Sequence, residues 1–203
     1  MPARLLATAI QTVAPAASRD QARPVLCGIY VTADDKQVTF TATDSYRLHH
    51  LTIPTSVSVV VSGAPGKANI PQWWLTRWAK GRSTHMPLPT LSATTRRAMI
   101  KYVDGIDACP TIGGSDYPKF DSILDAETPD EGGAHLNPRF LAQSLAACAR
   151  WANGRPVTVE ALNWSKAARF KVDTQDGTLQ VVQMPVRMPC SLGTERKRGG
   201  ERE

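Results

Sequence analysis

No stretch of this 203-residue chain is apolar enough to cross a membrane as a helix. The densest one, around Val57 to Val61, falls far short of the roughly 20 residues a bilayer core requires. Cysteine is scarce as well. Cys27, Cys109, Cys148 and Cys190 are widely separated, with no CxxC pair and no metal-ligand spacing, which excludes a disulfide scaffold and predicts reduced thiols. Arg4 followed by Leu5, Leu6, Ala7, Thr8, Ala9 and Ile10 briefly imitates a signal peptide. Gln11 and Thr12 interrupt the imitation, so the segment reads as an amphipathic helix of a cytoplasmic protein. With 42% hydrophobic and 21% charged residues, the composition is that of a globular protein with a real core. The length suits one large domain, or one domain and a fragment.

Acidic side chains are missing from residues 45 to 103, where Arg47, Lys67, Arg77, Lys80, Arg82, Arg96, Arg97 and Lys101 all lie. From 104 to 131 the balance inverts: Asp104, Asp107, Asp116, Asp121, Asp125, Glu127, Asp130 and Glu131 face Lys119 alone. The whole chain carries +6. Signs segregated in this way present a basic surface to an anionic partner, of which nucleic acid is the commonest.

Catalytic constellations are also lacking. The stretch Gly63, Ala64, Pro65, Gly66, Lys67, Ala68 has neither the spacing nor the Ser/Thr of a phosphate-binding loop and reads as a turn. His49 and His50 are neighbours in an expected strand, so they point to opposite faces and cannot chelate one metal. One surface imidazole and one half-buried one are expected there. Asp34 and Asp35 are turn chemistry. No carboxylate cluster of the kind a metal-dependent nuclease needs is in view. The residues favour a binding protein over an enzyme, with no metal and no cofactor.

One pattern recurs three times: a short helix, then about three strands of period-two alternation. The first helix is predicted over 3–13, closed by Pro15, with strands at 25–32, 37–43, 46–53 and 56–62. The second opens with Pro71, contains Trp73, Trp74, Leu75 and Trp78, and ends at Gly81, with strands at 88–94, 98–103 and 108–112. The third has Asn137 as N-cap and Pro138 at its first position, followed by strands at 157–163, 168–172 and 178–187. The expected division is a two-unit domain over 1–128, a linker at 129–133, a one-unit half domain over 134–190 and a disordered tail at 191–203. The fold class is α+β, built from repeated units of a helix on an antiparallel sheet, with the helices on one face.

The most specific stretch is Arg23, Pro24, Val25, Leu26, Cys27, Gly28, Ile29, Tyr30, followed by Ala42, Thr43, Asp44, Ser45, Tyr46, Arg47, Leu48. It resembles the middle domain of the bacterial DNA polymerase III beta subunit, the sliding clamp, where R-x-x-L-x-G precedes A-T-D-G-H-R-L. Three further segments fit in order. Ala68, Asn69, Ile70, Pro71 precedes the second helix as I-V-P does. The run from Gly114 to Leu124, with Tyr117, Pro118 and Phe120, is similar to G-x-F-P-D-Y-x-x-V-L. Val181, Val182, Gln183, Met184, Pro185, Val186, Arg187 is similar to the C-terminal V-V-M-P-M-R-L. Ser45 and Tyr46 replace Gly and His, and Asp125 stands where the family has Pro. The likeness covers the equivalent of the middle domain, without the strand before its first helix, and half of the last domain.

The resemblance implies the DNA-clamp fold: a ring of helix-backed sheets whose helices line a central hole, acting as a processivity factor that encircles duplex DNA without sequence preference. Arg77, Lys80 and Arg82 on the second helix, and Arg139, Arg150 and Arg155 on or after the third, would face that hole, with Arg19 and Arg23 at its rim. It also implies a pocket for linear peptide motifs of the DNA polymerase and the clamp loader, lined by Leu26, Thr43, Ser45, Tyr46, Arg47, Leu48, Asn137, Phe140, Met184, Pro185, Val186 and Arg187. A rival reading is a clamp-like regulator or decoy that binds such peptides without encircling DNA; a catalytic nucleic-acid enzyme is a third. The family's ring has twelve helix-plus-sheet units, so a chain with three predicts a homotetramer. An odd count of alternating units makes its symmetry dihedral. The short chain suggests a phage-like source.

Overall fold

The computed structural model describes residues 2–54, 66–81, 89–94, 96–102, 105–112, 117–124, 135–160 and 167–186. The expected strand at 56–62, the linker at 129–133, the tail at 191–203 and the side chains of Arg82 and Arg187 lie outside the described residues.

Helix α1 (Ala3–Val13) buries Leu6, Ala9, Ile10 and Val13, one stripe at helical spacing. Each large apolar side chain in that stripe contributes about 1.5–3 kcal/mol. Pro15 sits in the short 3-10 turn Ala14–Ala16 that ends the helix. The strand expected at 25–32 begins late, because Pro24–Cys27 form a second 3-10 turn and β1 covers Gly28–Ala33. The turn closes when Leu26 N–H donates to the Arg23 carbonyl at 3.0 Å, and the Asn69 amide pins it by donating to the Val25 carbonyl at 2.7 Å. Gly28 is required next to that pin, since a Cβ there would lie 1.9 Å from Asn69 Oδ1.

Strands β2 (Gln37–Thr43), β3 (Arg47–Pro54) and β4 (Gly66–Pro71) follow, and Pro71 feeds directly into α2 (Gln72–Gly81). Trp74, Leu75, Trp78 and Ala79 are the buried face of α2. Strands β5 (Thr90–Ala93), β6 (Arg97–Tyr102) and β7 (Gly105–Pro110) form a three-stranded antiparallel sheet. One short helix was not expected: α3 (Asp121–Leu124). Helix α4 (Pro138–Ala152) starts as predicted, the Asn137 side chain accepting from the backbone N–H of Arg139 at 3.0 Å and of Phe140 at 3.4 Å. It ends where Asn153 turns left-handed, at φ 46°. Strands β8 (Thr158–Glu160), β9 (Ala168–Thr174) and β10 (Gly177–Gln183) complete the chain.

The third unit does not stand apart. Strand β10 pairs antiparallel with β3, from Thr178 opposite Thr52 to Gln183 opposite Arg47, giving a seven-stranded sheet ordered β4-β1-β2-β3-β10-β9-β8. Helix α1 packs between α2 and α4 on one face of this sheet. That face carries Val31, Phe40, Leu51, Ile53, Val181, Leu179, Phe170 and Val172, all in one core with the helices.

The other face is covered too, which corrects the expectation for the two histidines. Both are buried. His49 points to the helices, its Nδ1–H donating to the Thr12 carbonyl at 3.0 Å. His50 points to the opposite face, between the hydroxyls of Thr41 and Thr52 and 5.5 Å from the Phe120 ring. Phe120 belongs to the segment that crosses this face, where Tyr117 stacks on Tyr30 at 4.6 Å and its hydroxyl donates to the Thr41 carbonyl.

Candidate functional site

Two adjoining surfaces gather the residues singled out in the sequence, a groove on the helix side and the β3–β10 seam at its margin, with Tyr46 and Phe140 belonging to both.

On the helix side, the end of α1, the face of α2 and the face of α4 enclose a groove of about 810 Å³. Arg19, Arg23, Lys80, Arg139 and Arg150 line it, along with Asp20 and Asp44. Five of the eight basic residues read as DNA contacts thus share one groove, although they come from segments far apart in sequence. Arg150 also donates to the Gln11 carbonyl at 3.1 Å, and Arg23 pairs with Asp20 at 3.5 Å and donates to Ser45 Oγ. Arg77 is not among the lining residues; its guanidinium lies 3.8 Å from Asp107 and 5.6 Å from the Trp73 ring centre. Arg155 is exposed just beyond α4.

At the seam itself, Tyr46, Met184 and Val186 are exposed and Phe140 is half-buried, with the Tyr46 and Phe140 rings 6.1 Å apart. The chain is held there by backbone bonds: Met184 N–H donates to the Tyr46 carbonyl at 2.8 Å and Val186 N–H to the His135 carbonyl at 2.7 Å. Pro185 lies between them, half-buried, and Asn137 caps the helix that carries Phe140. Leu26 and Leu48 are buried, Leu48 standing opposite Val182 and Thr43 in the sheet register. Ser45 takes φ 76°, a left-handed turn residue where the family pattern has Gly. Thr43 braces that turn, donating to the Arg47 carbonyl at 2.7 Å.

Arg47 goes the other way. Its side chain is buried on the helix side, 3.2 Å from Asp44, under the Phe140 ring at 4.6 Å from its centre, and donating to Gln143 and to the Pro15 carbonyl. It therefore ties the β2–β3 turn, the end of α1 and α4 together, between the two surfaces. Asp44 also accepts from the backbone N–H of Tyr46 and of Arg47, both at 3.0 Å, which satisfies the carboxylate.

Two contributors were not read from the sequence. Gln143, one turn along from Phe140, carries no sequence signal beyond being a polar helix position. Arg169 on β9 donates to the carbonyls of Ile123 and Leu124, the C-terminal end of α3, and so fixes that segment beside the third unit. Its only sequence signal was a charge alternating with the apolar residues of a strand.

Burial raises the thiol pKa of Cys109 and Cys148 to about 11, so neither is a thiolate nucleophile near neutrality. Among the described residues no three His, Cys, Asp or Glu side chains come together as metal ligands. No described helix is long and apolar enough to cross a membrane.

Residues 1–64 match the family described as the DNA polymerase III beta subunit, central domain. No curated protein matches the sequence. Among solved structures, the beta subunit from the DNA polymerase of Streptococcus pyogenes shares 16% identity with a TM-score of 0.77, over 93% of this chain and 65% of that one. The DNA polymerase III beta subunit of Thermotoga maritima gives 12% and 0.73, over 93% and 65%. A DNA polymerase sliding clamp from Pseudomonas aeruginosa gives 12% and 0.76, over 93% and 66%. The chain thus has the sliding-clamp fold, resembles the bacterial beta subunit in shortened form, and spans 65% of the length of the first of these relatives.

Proposed function

We propose that this chain is a clamp-like, non-catalytic processivity factor of the cytoplasm. It holds duplex DNA against its helix layer and tethers a DNA polymerase through a peptide site at the β3–β10 seam. The observation that carries this reading is the groove in which Arg19, Arg23, Lys80, Arg139 and Arg150 converge. Cations set along a helix layer contact phosphate without reading bases, which permits sliding. The seam suits an extended peptide with apolar anchors: Tyr46, Phe140, Met184 and Val186 offer adaptable apolar surface. Clamp loaders are expected to use the same seam.

The oligomer completes the proposal. Three units per chain in a ring of twelve give a homotetramer of dihedral symmetry encircling the duplex.

Duplex affinity measured across a salt series tests the DNA surface. Each cation lost removes about 0.9 from the slope of log affinity against log salt, so Lys80→Ala with Arg139→Ala and Arg150→Ala should flatten it by nearly three. An unchanged slope, or a sequence-selective footprint, would overturn the assignment. Retention on nicked circular DNA, followed by release when the circle is linearised, tests encirclement.

A further inference from the structure

We propose that the outer edge of β7, together with Trp73 on α2, docks a second copy of this chain across a two-fold axis. The proposal rests on the oligomeric reading above and names the surface that forms one of its contacts.

The chain contains its own template for this contact. Strand β3 is the last strand of the meander that follows α1, and β10 the last of the meander that follows α4. These two last strands pair antiparallel at the seam, and behind them α1 packs against α4. Strand β7 is the last strand of the meander that follows α2, and among the described residues it pairs with β6 alone. An unpaired strand edge exposes a row of N–H and C=O groups that invites another strand. The partner that matches the template is another last strand, backed by another helix, and the last strands β3 and β10 are already paired with each other. Among the described residues the other edge strands are β4, β5 and β8; β4 precedes a helix, and β5 and β8 are first strands like β1. Strand β1 pairs with β4, a strand that precedes a helix, so none of the three is the match for β7. That leaves β7 of a second copy.

The side chains agree. Trp73 in the helix layer is 60% exposed and Ile106 in the sheet layer is 61% exposed, so both layers present a large apolar group beside the same edge. Arg77 links them, its guanidinium 5.6 Å from the Trp73 ring centre and 3.8 Å from Asp107 on β7. Asp107 also accepts from Trp74 Nε1–H at 3.3 Å. One cation and one carboxylate beside the edge are neutral together and self-complementary under a two-fold. Two identical strands that pair antiparallel are necessarily related by such an axis, so the contact is isologous rather than head-to-tail. Pro110, which lacks an N–H, ends the ladder.

Light scattering on the full chain, with Ile106→Lys and Trp73→Ala as separate variants, tests the proposal. Both side chains are exposed, so the variants should fold, which circular dichroism checks. Each should halve the wild-type mass. A third variant, Ile106→Cys, should give covalent dimers and nothing larger with a short bis-maleimide under conditions where the wild-type chain does not cross-link. A monomeric wild type would overturn both this contact and the oligomer. An oligomer whose mass both variants leave unchanged would overturn this contact alone. Loss of duplex affinity in Trp73→Ala at unchanged mass would assign α2 to the DNA surface instead and equally overturn it.

Discussion

Acidification should unfold this protein by charging two buried imidazoles. Burial lowers the pKa of His49 to about 4, with Arg47 as a lesser cause acting in the same direction and the bond to the Thr12 carbonyl opposing it. His50 is lowered by burial to about 4 as well, against the opposing charge of Asp121. In the unfolded chain both titrate near 6.5. The sign follows from proton counting. Between these values the unfolded state binds protons that the folded state refuses, so stability is lost as pH falls from about 6.5 toward 4. At pH 5 the loss is about 2 kcal/mol for each ring, about 4 for the pair, against a typical total of 5–15. His49 gives the effect a structural basis: its Nε2 is buried without a partner, so a second N–H there would have nothing to donate to. Urea midpoints measured at intervals from pH 7.5 to 4.5 should stay nearly level above about pH 6.5 and fall below it. His50→Gln, which keeps amide groups near Thr41 and Thr52, should remove about half of the slope. A midpoint that stays flat down to pH 5, or a slope that the variant does not change, would refute the burial argument.

Three other outcomes follow from contacts described above. Gly28→Ala should destabilise by about 2–4 kcal/mol by driving a methyl group into Asn69, and Asn69→Ala should rescue part of that loss; strictly additive effects in a urea double-mutant cycle would show the clash is absent. Arg47→Met keeps the apolar stem but strips donors from Gln143 and the Pro15 carbonyl, so thermal unfolding should reveal a loss of about 3 kcal/mol. Met184→Ala should weaken a peptide with Leu and Phe anchors by about 1–3 kcal/mol in calorimetry, because truncating a pocket anchor costs that much; unchanged affinity would place the peptide elsewhere.

The sequence by itself determined the local structure. The stripe of Leu6, Ala9, Ile10 and Val13, the Asn137 cap before Pro138 and the alternation of Val38, Phe40 and Ala42 are periodic or stereochemical signals, readable because each depends on residues within one or two turns of each other. It also displayed the acid-free stretch and the motifs around Gly28 and Arg47. Tertiary structure decided what those signals could not carry. The third unit joins the first because β10 finds the free edge of β3, a pairing between residues 47–52 and 178–183 that no local pattern encodes. His50 is buried because a segment some 70 residues further on crosses the outer face of the sheet, whereas its alternation with His49 specified only that the two rings diverge. The arginines show the division best. The family resemblance implied Arg19, Arg23, Arg77, Arg139 and Arg150 as DNA contacts and Arg47 as pocket lining, yet packing buried Arg47 in the wall of the groove, sent Arg77 to the β7 edge, and left the other four around the groove. A long cationic side chain goes wherever a carboxylate, an aromatic face or open water lies within its reach, and only the folded chain sets those distances.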